Sequence, residues 1–315
     1  MILVVCLNPA LDITHEVAAV DWAGINRPGA VHDRPGGKGL NVARTLHALG
    51  ADVLVTGLAG GVTGAGVLAA FGELGVRSAF TGISGPTRRT FTVVDDGGHV
   101  AAFYEPGPVV GAGEFAGFLE DYRAALTQGG GADAVVLSGS LPRGLPDGTY
   151  ARLTELAAGR PVVLDTYGKA LRLGAAAGPA IVKPNLPELR DLAGRPLADT
   201  AAVAAAADEL RRSGAGAVVV TLGREGLLAV TEAGCWRARP RAAVTGNATG
   251  AGDAVTAALA HGLVLGRRWD ERLRHAVALG AAAAASPVAG EFRSCDYVSA
   301  LSGVLVEEFT AGEAV

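Results

Sequence analysis

Short apolar runs alternate with helix-patterned segments along most of the chain, and this rhythm constrains the fold more than any other feature. Residues 1–7, 52–58, 134–137, 161–164, 180–182 and 217–221 are β-branched and bounded by Gly, Pro or Asp. Such runs read as strands buried on both faces of a parallel sheet. Between them, 39–49, 64–74, 113–126, 147–157, 187–192 and 200–212 have the length and pattern of crossover helices. The rhythm predicts an α/β fold with a mostly parallel central sheet. The 315 residues suffice for one large domain, and neither an internal repeat nor an interdomain linker divides them.

Two regions break the rhythm. Residues 87–94 and 99–104 are rich in Thr, Phe and Val and flank the turn Asp95-Asp96-Gly97-Gly98, which predicts a β-hairpin. Residues 11–34 are likewise non-helical and punctuated by Gly and Pro. Together, 11–34 and 87–104 are expected to form a small β appendage on a single domain spanning 1–315.

Composition narrows the function classes. Lys+Arg 27 against Asp+Glu 31 gives a formal charge of −4, and neither sign forms a block, so nothing favours a nucleic-acid or anionic-membrane partner. No uninterrupted apolar stretch is long enough for a membrane span. The first residues lack a basic leader, and the three cysteines, Cys6, Cys235 and Cys295, are scattered. A cytoplasmic protein without disulfides or a zinc cluster is the expectation. The 46 glycines are about twice the usual share of ~7%. They follow no collagen-like period, so their positions matter.

Three glycine clusters sit where strands meet helices. Gly36-Gly37-Lys38-Gly39, followed by Asn41, lacks the Ser or Thr of a Walker loop. It is either a plain helix start or a seat for a phosphorylated, hydroxylated ligand. Gly64-Ala65-Gly66-Val67-Leu68-Ala69 matches a dinucleotide fingerprint but lacks the acidic ribose partner about 20 residues on. Thr249-Gly250-Ala251-Gly252-Asp253 presents consecutive N–H groups at a helix start, an anion nest reinforced by the helix dipole. Asp253 is either a helix-stabilising acid or a general base beside a transferring phosphoryl group.

Taken in order, the motifs resemble the PfkB branch of the ribokinase-like sugar kinases, and most closely its phosphosugar members, the 1-phosphofructokinase and tagatose-6-phosphate kinase group. The resemblance runs from Leu7-Asn8-Pro9-Ala10-Leu11-Asp12 through Asn26-Arg27, Gly36-Gly37-Lys38-Gly39-Leu40-Asn41-Val42-Ala43, Thr87-Arg88 and Glu105-Pro106-Gly107. It continues with Ser138-Gly139-Ser140-Leu141-Pro142, Leu164-Asp165-Thr166, Lys183-Pro184-Asn185-Leu186-Pro187-Glu188-Leu189 and Thr221-Leu222-Gly223-Arg224-Glu225-Gly226, and ends at Asp253. It implies a three-layer α/β/α sandwich whose β appendage is a lid over the sugar. The implied activity is transfer of a phosphoryl group from ATP to fructose 1-phosphate, with tagatose 6-phosphate or fructose 6-phosphate as alternative acceptors. An NAD(P)-dependent oxidoreductase and an inactive sugar-phosphate sensor are more distant alternatives.

By the same resemblance, Asp253 takes the proton while Gly250, Ala251 and Gly252 stabilise the developing charge. Asp12, Gly37, Asn41 and Ser138 bind the sugar; Lys38, Arg88 and Arg27 hold its phosphate. Lys183, Thr221, Gly223, Gly226 and Thr249 join the glycine nest in binding ATP. Asn185 and Glu188 are associated with Mg²⁺ and the triphosphate, although Asn-x-x-Glu alone also reads as a capping box. ATP, Mg²⁺ and a monovalent cation are the implied cofactors, and a homodimer paired through the lid is the implied assembly.

Three departures bear on specificity. Thr90 stands where Asn is usual, with Arg89 as a candidate second phosphate donor. Asn247-Ala248 precede the last glycine motif in place of the usual pair. Ala289-Gly290-Glu291-Phe292 replaces a Gly-Thr type of element.

Overall fold

The computed structural model describes residues 1–241, 249–286 and 291–309. In chain order its elements begin with β1 (Ile2–Cys6), β2 (Ala10–Val17), β3 (Ala30–Gly36), α1 (Lys38–Ala48), β4 (Val53–Gly60), α2 (Gly61–Glu73) and β5 (Arg77–Ile83). They continue as β6 (Arg88–Asp95), β7 (Val100–Tyr104), α3 (Ala112–Thr127), β8 (Ala134–Ser138), α4 (Thr149–Leu156), β9 (Val162–Asp165) and α5 (Gly168–Ala176). Then come β10 (Ile181–Val182), α6 (Leu186–Ala193), α7 (Thr200–Arg212), β11 (Ala217–Thr221), β12 (Leu227–Thr231) and β13 (Gly234–Pro240). Last are α8 (Ala251–Val264), α9 (Trp269–Ala285), α10 (Ser294–Ser302) and β14 (Val304–Glu308).

The residues of β1 are all buried, as expected of a central strand. Its side chains alternate between two cores. Leu3 and Val5 pack with Phe118, Tyr122 and Tyr150, whereas Ile2, Val4 and Cys6 pack with Leu40, Leu259 and Leu279. Each fully buried large apolar side chain contributes about 1.5–3 kcal/mol. A helical layer therefore covers each face of one sheet, the expected α/β/α sandwich.

That sheet has ten strands in the order β14-β13-β12-β11-β10-β9-β8-β1-β4-β5. It is parallel from β5 to β11, while β12, β13 and β14 are antiparallel additions. Four of these strands, β5, β12, β13 and β14, have no counterpart in the sequence reading. β5 and β14 are edges, and Arg237, Arg239 and Glu307 on the outer strands interrupt any buried-strand pattern.

The order reverses beside β1, which pairs in parallel with β4 on one side and β8 on the other. Crevices outside the carboxyl ends at such a reversal are where open α/β sheets bind ligands. A smaller sheet, β3-β2-β6-β7, stands over this place and uses both regions that broke the α/β rhythm.

The dinucleotide-like motif at 64–69 lies inside α2 rather than at a phosphate-binding turn. Gly64 is there because a Cβ would meet Thr87 Oγ1 at 2.8 Å. Asn247, Ala248, Ala289 and Gly290 lie outside the described residues. Among the described residues no helix is long and apolar enough to cross a membrane, and no cluster of His, Cys, Asp or Glu could hold a metal by itself.

Candidate active site

A cavity of about 970 Å³ opens at the strand-order reversal. It runs from the inner face of the small sheet, past the start of α8, to the turn between β11 and β12. Fifteen of the residues singled out in sequence line it: Asp12, Gly37, Lys38, Asn41, Arg88, Lys183, Asn185, Thr221, Gly223, Gly226, Thr249, Gly250, Ala251, Gly252 and Asp253.

At its centre, Gly250 caps α8 with φ 83°, a left-handed conformation that a side chain would strain. The chain thereby turns so that the first free N–H groups of the helix lie at the cavity wall. Asp253 follows in the first turn, 6% exposed, and its Oδ2 accepts a 2.9 Å hydrogen bond from Asn41 Nδ2. Burial, reinforced by the charge of Asp165, pushes the Asp253 carboxyl up to about 6, although Lys38, Asn41 and Lys183 oppose the shift. A carboxylate held near neutrality can exchange a proton with an alcohol.

Asp165, at the end of β9, was only part of a quoted motif in the sequence reading. It is completely buried and collects three donors: Lys38 Nζ at 3.0 Å, Lys183 Nζ at 3.2 Å and Thr256 Oγ1 at 2.7 Å. Burial works against its charge, but Lys183, Lys38 and Thr256 outweigh it and hold the carboxyl below its usual value. Lys38 also lies 3.8 Å from Glu188 Oε1. Its ammonium is disfavoured by burial yet held well above the usual lysine value by Asp165, Glu188 and Asp253. Asp165 thus keeps two ammonium groups side by side beneath the cavity. A signal was present in sequence, an acid ending a buried strand between two apolar runs, but nothing there showed which cations it would meet.

Asn185 and Glu188 do form a capping box: Asn185 Oδ1 accepts from the Glu188 N–H, and Glu188 Oε2 accepts from the Asn185 N–H, both at 2.8 Å. The cap leaves Glu188 Oε1 facing Lys38. Asn185 lines the cavity whereas Glu188 does not, and an amide with one partly exposed carboxylate oxygen near it fits Mg²⁺, which keeps several waters and takes few protein ligands. Farther along, Thr221 bridges to Asn185, and Gly223 and Gly226 shape the turn into β12. Leu227, Val255, Val277, Ala281 and Ala284 make this end apolar, suited to a flat ring system. Cys6 also lines the cavity, but burial pushes its thiol up to about 11, so it stays protonated.

At the opposite end, the pairings of the small sheet put Asp12, Thr14, Arg34, Arg88, Thr90, Thr92 and Tyr104 on its inner face, where all line the cavity. Asp12 lies over Gly36, where any Cβ would overlap its carboxylate. Thr90, the departure from the usual Asn, donates a 2.6 Å hydrogen bond to Asp12 Oδ1 and so fixes that carboxylate.

Several expected residues fall elsewhere. Arg27 is exposed between β2 and β3 and does not line the cavity, because the connection runs outward from the sheet. Ser138 is fully buried in β8 with its Oγ unpartnered; Gly139 and Ser140 line the cavity in its place, with Ser140 Oγ accepting from Asn8 Nδ2 at 2.9 Å. Arg89 does not line the cavity: strand alternation turns it outward, over Phe91 and into an ion pair with Glu105 at 2.6 Å. Arg34 and Asp165 are among the residues the sequence left unassigned.

Known proteins are similar to this chain in sequence and fold. A model of the pfkB family carbohydrate kinases matches residues 5–293. The 1-phosphofructokinase of Escherichia coli (strain K12) is 34% identical over 281 residues, covering 89% of this chain and 89% of that protein. Phosphofructokinase-2 from Escherichia coli in complex with fructose-6-phosphate superposes with a TM-score of 0.86 at 30% identity, covering 96% of this chain and 98% of the other. The same enzyme in complex with potassium gives a TM-score of 0.89 at 30% identity and the same coverage. By sequence, fold and the match over residues 5–293, this chain belongs to the pfkB family of carbohydrate kinases, phosphotransferases that take an alcohol group as acceptor.

Proposed function

We propose that this kinase is a cytoplasmic, Mg²⁺- and ATP-dependent 1-phosphofructokinase, converting fructose 1-phosphate and ATP to fructose 1,6-bisphosphate and ADP. The observation that carries the reading is a single cavity with arginines at one end, a buried carboxyl near pH 6 at its centre and an apolar cleft at the other end. Kinship to a 1-phosphofructokinase supports the choice of acceptor.

In this reading the sugar's free primary alcohol lies against Asp253. Its oxygen bonds to the γ-phosphorus as the bond to the bridging oxygen breaks; Asp253 receives the proton and ADP leaves. The N–H groups of Gly250, Ala251 and Gly252 stabilise the charge on the transferring group, a contribution made by fixed dipoles. Lys38 and Lys183, held together by Asp165, face the same negative charge, so Lys38 serves the transferring phosphoryl group rather than the sugar's phosphate. Asn185 and Glu188 would hold Mg²⁺, which would supply neutralisation of the phosphate charge. A monovalent cation near the last glycine motif remains part of the proposal, prompted by the potassium complex of the structural neighbour.

Asp12, Gly37 and Asn41 orient the sugar hydroxyls, and the small sheet acts as a lid. On the lid's outer side Val31 and Phe103 are each 53% exposed, with Trp22 and Ile25 nearby in the connecting loop also exposed. An apolar surface of this kind fits a second copy of the chain in a homodimer.

An ADP-release assay across fructose 1-phosphate, fructose 6-phosphate, tagatose 6-phosphate and fructose tests the reading. The expected result is the highest kcat/KM for fructose 1-phosphate. A higher value for either 6-phosphate transfers the assignment to that acceptor, and release at background for every sugar rejects kinase activity in favour of a sensor.

A further inference from the structure

We infer that Arg34 is a substrate-binding residue peculiar in its placement, pairing with Arg88 to form a two-armed seat for the phosphate already on the sugar. This rests on the sugar-phosphate kinase reading and extends it to a residue that no motif marked.

Arg34 is on β3, directly opposite Asp12 on β2, and Arg88 begins β6 on the other side of β2. Two strand spacings, about 10 Å, separate β3 from β6. Both arginines line the cavity, and two long side chains reaching inward from those strands can meet at one phosphate. Among the described residues, neither side chain makes a hydrogen bond or an ion pair with another protein group, and Arg88 Nε is buried without a partner. A buried guanidinium N–H left unmade costs free energy, which an anion would remove. Asp12 is the one carboxylate lining this end of the cavity, and Thr90 rather than an arginine holds it.

Arg44 adds a second line of support. It is 8% exposed behind the small sheet and donates to Pro35 O at 2.7 Å. Burial first, and then the charge of Arg34, lower its pKa from the usual arginine value. The charges of Glu291 and Asp12 oppose that shift without cancelling it, so Arg34 adds positive charge beside a second arginine and has no structural partner of its own. A cation serving the fold would be paired; one waiting for a dianion would not. Arginine also suits the purpose, because its planar fork binds a phosphate through two parallel hydrogen bonds.

The test uses the full-length protein with Arg34→Met, which keeps the apolar stem, and Arg34→Lys, which keeps the charge. With fructose 1-phosphate, Arg34→Met should raise KM by about tenfold or more, the loss expected for a charged hydrogen bond. Its kcat and its KM for ATP should stay within about twofold, and kcat/KM for unphosphorylated fructose should not change, so preference for the phosphosugar falls by the same factor. Arg34→Lys should recover part of the KM. An unchanged KM for the phosphosugar in Arg34→Met, or an equal loss on fructose and fructose 1-phosphate, overturns the inference. If the wild-type enzyme itself shows no preference for any phosphosugar, the functional reading fails first and the phosphate seat fails with it.

Discussion

The floor of the cavity and the lid above it treat charge in opposite ways. Beneath the cavity, Asp165 with Lys38, Lys183 and Thr256, and beside them Asp253 with Asn41, form two adjacent groups in which each charge meets a partner within 3.2 Å. On the lid's inner face, Arg34 and Arg88 stand without protein partners, and only Asp12 is fixed, by Thr90. Burial explains the difference. An unpaired ion in the floor would cost several kcal/mol, so the fold must satisfy it in advance. The arginines of the lid are only half-buried, so the fold tolerates them unpaired, the buried Arg88 Nε included, until a ligand arrives. The floor is preorganised for the chemistry that every turnover repeats, whereas the lid is completed by what it binds.

The sharpest way to break this contrast is to neutralise the reacting group. Asp253→Asn should lower kcat by about 10²–10⁴-fold, the usual worth of a general base, while calorimetry finds ATP affinity nearly unchanged. Wild-type turnover in that variant would sink the base assignment. Asp165→Asn comes next, because it leaves two ammonium groups facing each other in the interior. Losing one partner of a buried pair costs about 3–5 kcal/mol, to be read from the urea midpoint. The lid substitution Arg34→Met should leave that midpoint in place, and equal losses in both variants would erase the distinction between floor and lid.

A smaller effect separates the floor's charges from one another. Asp253 accepts a proton only when ionised, and its raised pKa of about 6 places the loss on the acid side. At saturating substrates, kcat should be flat above neutrality and fall about tenfold per unit below pH 6. Where the protein still folds, Asp165→Asn should move this limb to lower pH, since the Asp165 charge helps raise the Asp253 pKa. The smallest effect concerns the outer lid. Phe103→Asp should convert a dimer to a monomer in sedimentation while changing kcat by about twofold or less, because Phe103 faces away from the cavity.

Much of the central sheet was legible because buried parallel strands announce themselves as β-branched runs, as in β1, β8 and β11. The hairpin β6–β7 was legible from its Gly-rich turn. β13 and β14 were not, because Arg237, Arg239 and Glu307 give them the polar pattern of edges rather than of a core. Among site residues, the glycine nest at Gly250 and the carboxylate of Asp253 were readable from type and spacing. Arg88 and Arg89 were not separable, since one strand step decides which faces the cavity and which meets Glu105.

The sequence by itself determined the α/β class, the ordered motifs and the chemistry they offer, because periodicity, backbone freedom and side-chain type are local properties. Only the tertiary structure decided that Lys38 belongs to the floor through Asp165, that Arg27 stays outside and that Arg34 faces the cavity. Those outcomes depend on which residues, 127 positions apart in the case of Lys38 and Asp165, are brought within hydrogen-bond reach. Electrostatic partnership is fixed by distance and burial, and neither is a property of residues taken one at a time.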